Sequence, residues 1–358
     1  MGVLKQKMIN RPIVISHGED PDGIISMALL MRHLRSCNVS ASFGFGRYSN
    51  ISETFIGLAK LSENCLGEDF YVLDLGINGH LLSAKDSGEN VIKKLAHNTN
   101  LHWVDHHDTT KGAQPHLEEM GVDLMLATGI NQCSSRIVYA NFLNGDAYCD
   151  WLSKIALEHD NPGNGIHPEL GNDLQKIISL NYYGAKSVAS ADFNLLRLVN
   201  NLSFERAIIK GKFNRGLQRL IDKYDELEKS ALNTIYGTAQ LFESNDLKII
   251  FAYGNPLLPQ KDGLRKMAKM FSGQADIYCL ALGNPVNNVM MLSECDFDAS
   301  HFSQSCGGGC RANIGGYINP APITVDNIDE VAEGLKDNLA NYVAWIYSPS
   351  KLTNLNKL

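Results

Sequence analysis

Two short stretches of this chain and two isolated carboxylates carry side chains suited to metal chemistry. The first stretch is Ser16-His17-Gly18-Glu19-Asp20-Pro21-Asp22-Gly23. It places one imidazole, His17, close to Asp20 and Asp22, which face the same side of an extended backbone. Pro21 stiffens the loop and Gly23 lets it turn into a helix. An ordinary polar loop with an N-capping Asp would share these features, so both readings stand at this point. The second stretch, Asp105-His106-His107-Asp108, follows the apolar run 101–104. Consecutive ionisable groups there are hard to explain by packing, whereas a carboxylate beside histidines can fix a tautomer or share a metal with them. Asp74 ends the apolar run 69–74, and Asp160 follows His159 at the end of a helical stretch. A carboxylate at a helix C-terminus opposes the helix dipole, which points to a positive partner nearby.

Carboxylates and imidazoles without thiolates suit Mn²⁺, Mg²⁺, Co²⁺ or Fe²⁺ better than a structural zinc. Two ions sharing a carboxylate lie about 3.5–4 Å apart, polarise a bridging water toward hydroxide and offset charge on phosphoryl oxygens.

The elements that must position these groups alternate between strand and helix. Strands are expected at 12–16, 39–45, 69–74 and 100–105, with helices at 24–34, 90–96, 134–143 and 147–159. This repetition predicts an α/β fold with a doubly wound, mainly parallel sheet, whose ligands bind outside the carboxyl ends of the strands. Three of the strands stop there, at His17, Asp74 and Asp105. The segment 131–135, ahead of a helix, could present N–H groups or cap that helix, and capping is the simpler reading. Residues 174–187 and 192–243 read as mainly helical. A second, smaller α/β region follows, with strands at 247–252, 276–281 and 289–293, helices at 263–271 and 328–346, and a glycine-rich stretch from Gly307 to Gly316. The expected domains are 1–187, a helical connector 188–243, and 244–348, with a polar tail 349–358.

The chain has 358 residues, of which 44% are hydrophobic and 20% charged, with a net charge of −7. That length suits about two domains. The acidic balance argues against a protein that coats long nucleic acid, but not against a small anionic substrate. The eight cysteines are scattered, without a C-x-x-C pair, which suits reduced thiols in the cytoplasm. No segment reads as membrane-spanning. The N-terminal MGVLKQKMINRP is too short and polar for a signal peptide, and Met1-Gly2 lacks the Ser or Thr of a myristoylation site.

Taken in order, His17/Asp20/Asp22, Asp74, Asp105-His106-His107 and Asp160 resemble the four motifs of the DHH phosphoesterases. That family includes RecJ-type exonucleases, nano-RNA hydrolases, cyclic dinucleotide phosphodiesterases, phosphoadenosine phosphate phosphatases and manganese pyrophosphatases and exopolyphosphatases. The resemblance implies two Mn²⁺ ions, with Mg²⁺ or Co²⁺ as substitutes. One ion would be held by His17, Asp20 and Asp74, the other by Asp22, Asp74, His106 and Asp160. Asp105 would orient His106, and His107 would face the substrate phosphate. The C-terminal region resembles the DHHA1 domain, whose Gly-Gly-Gly-His signature is here Gly307-Gly308-Gly309-Cys310, with Arg311 and Asn313 following. Cys310 stands where the histidine is expected, and Arg311 or Asn313 could supply the missing donor to a phosphate cradled by glycine N–H groups; a glycine-rich turn that permits close packing is the alternative reading. Arg47, after Gly44-Phe45-Gly46, is a further candidate phosphate ligand.

The implied activity is hydrolysis of short oligonucleotides or small nucleotide phosphates in an interdomain cleft, and a homodimer is left open. Polyphosphate or pyrophosphate hydrolysis is the enzymatic alternative, and a non-catalytic nucleotide-binding protein the other. Phe43, Phe45 and Tyr48 are the aromatics that could stack a base.

Overall fold

The structure, a computed structural model, describes residues 11–185, 187–254, 258, 260–283, 287–311 and 313–346. For Ser49, Tyr183, Gln260, Lys261, Gly309, Cys310, Arg311, Trp345 and Ile346 it describes the backbone alone. The N-terminal residues 1–10 and the tail 349–358 lie outside the described residues. The chain divides after Asp222 into two compact units.

The first unit runs β1 (Ile13–His17), α1 (Pro21–Ser36), β2 (Ser42–Gly46), α2 (Ile51–Ser62), β3 (Asp69–Leu73), α3 (Gly79–Ser83), β4 (Lys85–Asp86), β5 (Glu89–Asn90), α4 (Val91–Asn98), β6 (Asn100–Asp105), α5 (Asp108–Glu119), β7 (Asp123–Leu126), α6 (Ser134–Phe142), α7 (Ala147–Asp160), α8 (Pro168–Tyr183), α9 (Val188–Ser203), β8 (Ile208–Ile209) and β9 (Lys212–Phe213). Its main sheet has the order β2-β1-β3-β6-β7 and is parallel throughout. Successive strand side chains point to opposite faces, and both faces are covered. Val14, Leu73 and Val104 enter the core formed with α1, α6, α7, α8 and α9. Ile13, Ile15, Val72 and Trp103 enter a second core formed with α2, α4 and α5. This doubly wound sheet is the architecture expected from the strand–helix alternation.

The chain leaves β1 for β2 on one side and returns through β3 on the other, so the strand order reverses between β1 and β3. Their carboxyl ends carry His17 and Asp74. Helix α1 follows directly. Asp20 caps it by accepting the Gly23 N–H at 3.0 Å, and Pro21 occupies its first turn. Gly23 is required: a Cβ there would lie 2.1 Å from the His17 carbonyl oxygen.

Residues 188–243, expected as one helical connector, are divided instead. Leu195, Leu198, Val199 and Leu202 of α9 are buried in the first core. The β8–β9 hairpin follows, and then α10 (Arg215–Thr238), which crosses the boundary between units. The apolar face of α9 needed a core to cover it, and that requirement is invisible in helical periodicity alone.

The second unit continues with β10 (Gln240–Ser244), β11 (Leu247–Gly254), α11 (Gln260–Met270), β12 (Ile277–Leu282), β13 (Asn288–Ser293), α12 (Ala299–Ser305), β14 (Gly309–Arg311), β15 (Ile314–Ile318) and α13 (Ile328–Ile346). Its sheet, in the order β10-β11-β12-β13-β15-β14, is antiparallel except for β11 and β12, which α11 joins as a crossover. The glycine-rich stretch thus forms two strands rather than a loop.

Trp103 ties the fold to the site. It is fully buried, stacks on Phe55 at 5.4 Å and donates its indole N–H to the Leu75 carbonyl at 3.0 Å, one residue past Asp74. Trp103→Phe removes that donor and should lower stability by about 1–3 kcal/mol, the usual cost of stranding a buried polar group. Urea unfolding measures it, and a midpoint equal to wild type would refute the role.

Candidate metal centre

Local backbone geometry delivers the ligand candidates to one place. Asp74 follows β3 with φ of 56°, a left-handed conformation that costs a non-glycine residue about 1–2 kcal/mol. Its N–H still bonds the Val104 carbonyl at 3.0 Å, so the chain turns only after the sheet ends. The carboxylate is buried. Its Oδ2 lies 3.7 Å from His17 Nδ1, and its Oδ1 lies 3.5 Å from His106 Nε2. Asp74 therefore offers one oxygen to each side.

On the first side, His17 Nδ1 is 3.0 Å from Asp20 Oδ2. Ligand atoms of His17, Asp20 and Asp74 fall within 4.8 Å of one another. His17 Nδ1 and Asp74 Oδ2 are both buried without a well-formed hydrogen bond. Buried polar atoms are normally satisfied, so this convergence fits a cation. Glu19 Oε2 lies 3.4 Å from His17 Nε2. A proton held there on Nε2 leaves the Nδ1 lone pair for a ligand.

On the second side, His106 Nε2 is 3.9 Å from Asp22 Oδ2, and its Nδ1 is 3.6 Å from Asp160 Oδ2. Ligand atoms of Asp74, Asp105, His106 and His107 fall within 4.8 Å of one another, while Asp22 and Asp160 adjoin this group at the two ring nitrogens of His106. Asp160, the last residue of α7, faces the His106 imidazole.

Asp105 departs from expectation. Its Oδ1 bonds His107 Nδ1 at 2.7 Å, and its Oδ2 accepts from Thr110. It orients His107, not His106, because β6 ends with Asp105 and His107 on the same side, two residues apart. Both of its carboxylate oxygens are engaged, and it still lies within the cluster of Asp74, His106 and His107.

Arg47 also departs. Its guanidinium is buried, pairs with Asp192 of α9 and lies over the Tyr182 ring. It serves the packing of β2 against the helical layer, and its charge is already matched. Of the three candidate aromatics, Phe45 is buried in the core and Phe43 packs against it. Tyr48 stays 38% exposed, with its ring edge-on to His17 at 5.1 Å.

The glycine-rich residues belong to the second unit. Gly307 has φ of 82°, and the Gly308 N–H bonds the Ser303 carbonyl at 2.8 Å. A Cβ on Gly308 would lie 1.9 Å from the Gly316 carbonyl oxygen, so close strand packing accounts for that glycine. Gly309, Cys310 and Arg311 form β14, and the side chains of Cys310 and Arg311 lie outside the described residues. The Asn313 carbonyl accepts from the Ser293 N–H at 2.8 Å.

Of the two readings of segment 131–135, the structure shows Ser134 and Ser135 presenting N–H groups, the reading set second to capping. Their N–H groups, at the start of α6, donate to Asp22 Oδ2 and Oδ1 at 2.7 and 2.9 Å. The paired serines ahead of a helix were the available signal, but they suggested capping of that helix, and the acceptor is 112 residues away in the chain.

Electrostatics follow from packing carboxylates together. Burial pushes the Asp74 carboxyl up to about 7, with Asp22 and Asp20 adding to the rise against the opposing influence of the nearby His106 and His17 imidazoles. Burial and Asp22 raise Asp160 to about 6. Burial lowers His106, but Asp74, Asp22 and Asp160 outweigh it and lift the imidazole to about 10. Burial also opposes charge on His17, yet Asp20 and Asp74 hold its pKa well above the ordinary value. Without a cation, the site therefore retains protons near neutral pH.

No family model matches the sequence, and no curated protein matches it. Solved structures do. The exonuclease RecJ bound to manganese is 14% identical with a TM-score of 0.54, over 96% of this chain and 92% of that one. A DHH domain from a protein assigned to a family of ribosomal proteins is 13% identical with a TM-score of 0.55, over 92% and 87%. RecJ from Thermus thermophilus in complex with Mn²⁺ is 12% identical with a TM-score of 0.53, over 94% of this chain and 52% of that longer protein. The chain has the fold of the DHH-domain proteins, as its motifs implied.

Metal ligands must be deprotonated. Because Asp160, Asp74 and His106 have raised pKa values, a divalent cation held by them would have to displace their protons. Mn²⁺ affinity should rise as pH increases from about 6 toward 10. Calorimetry in buffers of different ionisation enthalpy should show proton release at pH 7. Heats independent of the buffer would contradict this picture of the site.

Proposed function

We propose that this protein is a metal-dependent phosphoesterase that hydrolyses short oligonucleotides or small nucleotide phosphates at a two-ion centre. The carrying observation is that Asp74 directs one carboxylate oxygen toward His17 and the other toward His106. Mn²⁺ is the favoured ion, on the donor set and on the manganese present in the RecJ structures of like fold. Bound divalent ions would offset charge on the phosphoryl oxygens and lower the pKa of an attacking water.

The protein's own side chains supply the rest. Burial opposes charge on His107, but Asp105 holds its Nδ1 and raises the imidazole pKa, which favours a proton at Nε2. That proton can bond a phosphate oxygen and pass to the leaving oxygen. Thr110 bonds Asp105 and accepts the Ile77 N–H at 2.9 Å, which holds the carboxylate in place. Tyr48, exposed beside His17, offers a ring on which a base or sugar can rest. This favours a nucleotide over a bare polyphosphate.

Purified protein with Mn²⁺ should cleave at least one member of a panel of short RNA, cyclic dinucleotides and phosphoadenosine phosphate. Hydrolysis of polyphosphate alone would overturn the substrate class, and inertness toward the whole panel would overturn the enzyme. Asp74→Ala should reduce turnover by more than about 100-fold, beyond the loss typical of an outer contact to a metal ligand. Substantial retained activity in a folded Asp74→Ala protein would rule out the bridging role.

A further inference from the structure

Ser134 is fully buried at the first position of α6 and touches two carboxylates at once. Its N–H donates to Asp22 Oδ2 at 2.7 Å, and its hydroxyl donates to Asp74 Oδ1 at 3.1 Å. The neighbouring Ser135 N–H takes the other Asp22 oxygen at 2.9 Å. Asp22 thus sits on the N-terminal turn of α6, where orphan N–H groups and the helix dipole favour an anion.

Among the described residues, no backbone N–H clamps the Asp74 carboxylate in this way. The terminal torsion of an aspartate is broad and roughly two-fold. A carboxylate that serves two sides must not rotate away from either. The Ser134 hydroxyl bonds the oxygen on the His106 side, and this leaves Oδ2 directed at His17 and Asp20. The same residue spans the two carboxylates whose mutual repulsion would otherwise drive them apart.

We propose that Ser134 is a positioning residue that fixes the rotation of the Asp74 carboxylate and so links the two halves of the metal centre. This rests on the reading of the site as a two-ion centre. Ser134 contacts the ligands, not the ions, so its effect is read in metal affinity rather than in the fold.

The test is Mn²⁺ binding to the purified full chain, followed by electron paramagnetic resonance of the free ion, for wild type, Ser134→Ala, Ser134→Thr and Ser134→Cys. Ser134→Ala should weaken binding about 10–100-fold, the range for losing an outer contact to a metal ligand. Ser134→Thr keeps the hydroxyl and should restore most of the affinity. Ser134→Cys keeps the volume with a weaker donor and should fall between, which gives a reading even if the alanine variant does not fold. Thermal unfolding of each metal-free variant separates loss of affinity from loss of structure. Wild type that takes up no Mn²⁺ overturns the metal reading and this inference with it. Wild type that binds Mn²⁺ no better than folded Ser134→Ala or Ser134→Cys overturns the inference alone.

Discussion

Burying a carboxylate such as Asp74 is unfavourable by several kcal/mol unless partners offset it, and here Asp22 and Asp20 stand near enough to raise its pKa further. Much of the first unit's local structure answers that constraint. The first turn of α6 supplies two N–H groups to Asp22. Gly23 N–H bonds Asp20 as α1 begins. Thr110 and His107 engage both oxygens of Asp105. What these donors leave unmet, protons on Asp74, Asp160 and His106 satisfy in the absence of a cation.

The topology explains why this concentration of charge falls at one end of the sheet. A parallel sheet has its strands' carboxyl ends together, and the reversal of order between β1 and β3 opens a crevice there. His17 ends β1, Asp74 follows β3 and Asp105 ends β6, so three neighbouring strands deliver ligands or their supports without long loops. The two apolar cores behind them hold these ends in register. Trp103 extends this to the backbone by binding the Leu75 carbonyl from within the second core.

Much of this was legible in sequence. The apolar runs ending on His17, Asp74 and Asp105 marked both the strands and the end of the sheet where the candidate ligands gather, because strand periodicity and ligand chemistry are local properties. Elements with weaker patterns were missed. Helix α5 carries Pro115 and few apolar residues, and β7 is half-buried at the sheet edge, so neither stands out from its own composition. For the glycine-rich stretch the sequence left a phosphate cradle and close packing both open, and the fold shows that Gly308 is required where β14 closes on β15. A glycine's reason is set by what its missing Cβ would strike, which is a property of the packed state.

The sequence alone determined the inventory of donors, their order along the chain and the parallel sheet that carries them. Only the tertiary structure decided who meets whom. It gave Asp105 to His107, paired Arg47 with Asp192 across 145 residues and joined Ser134 to Asp74 across 60. The physical reason is range: periodicity and turn chemistry act over a few residues. The partner of a buried charge is whichever donor the folded chain brings within hydrogen-bonding distance, however far away it lies in sequence.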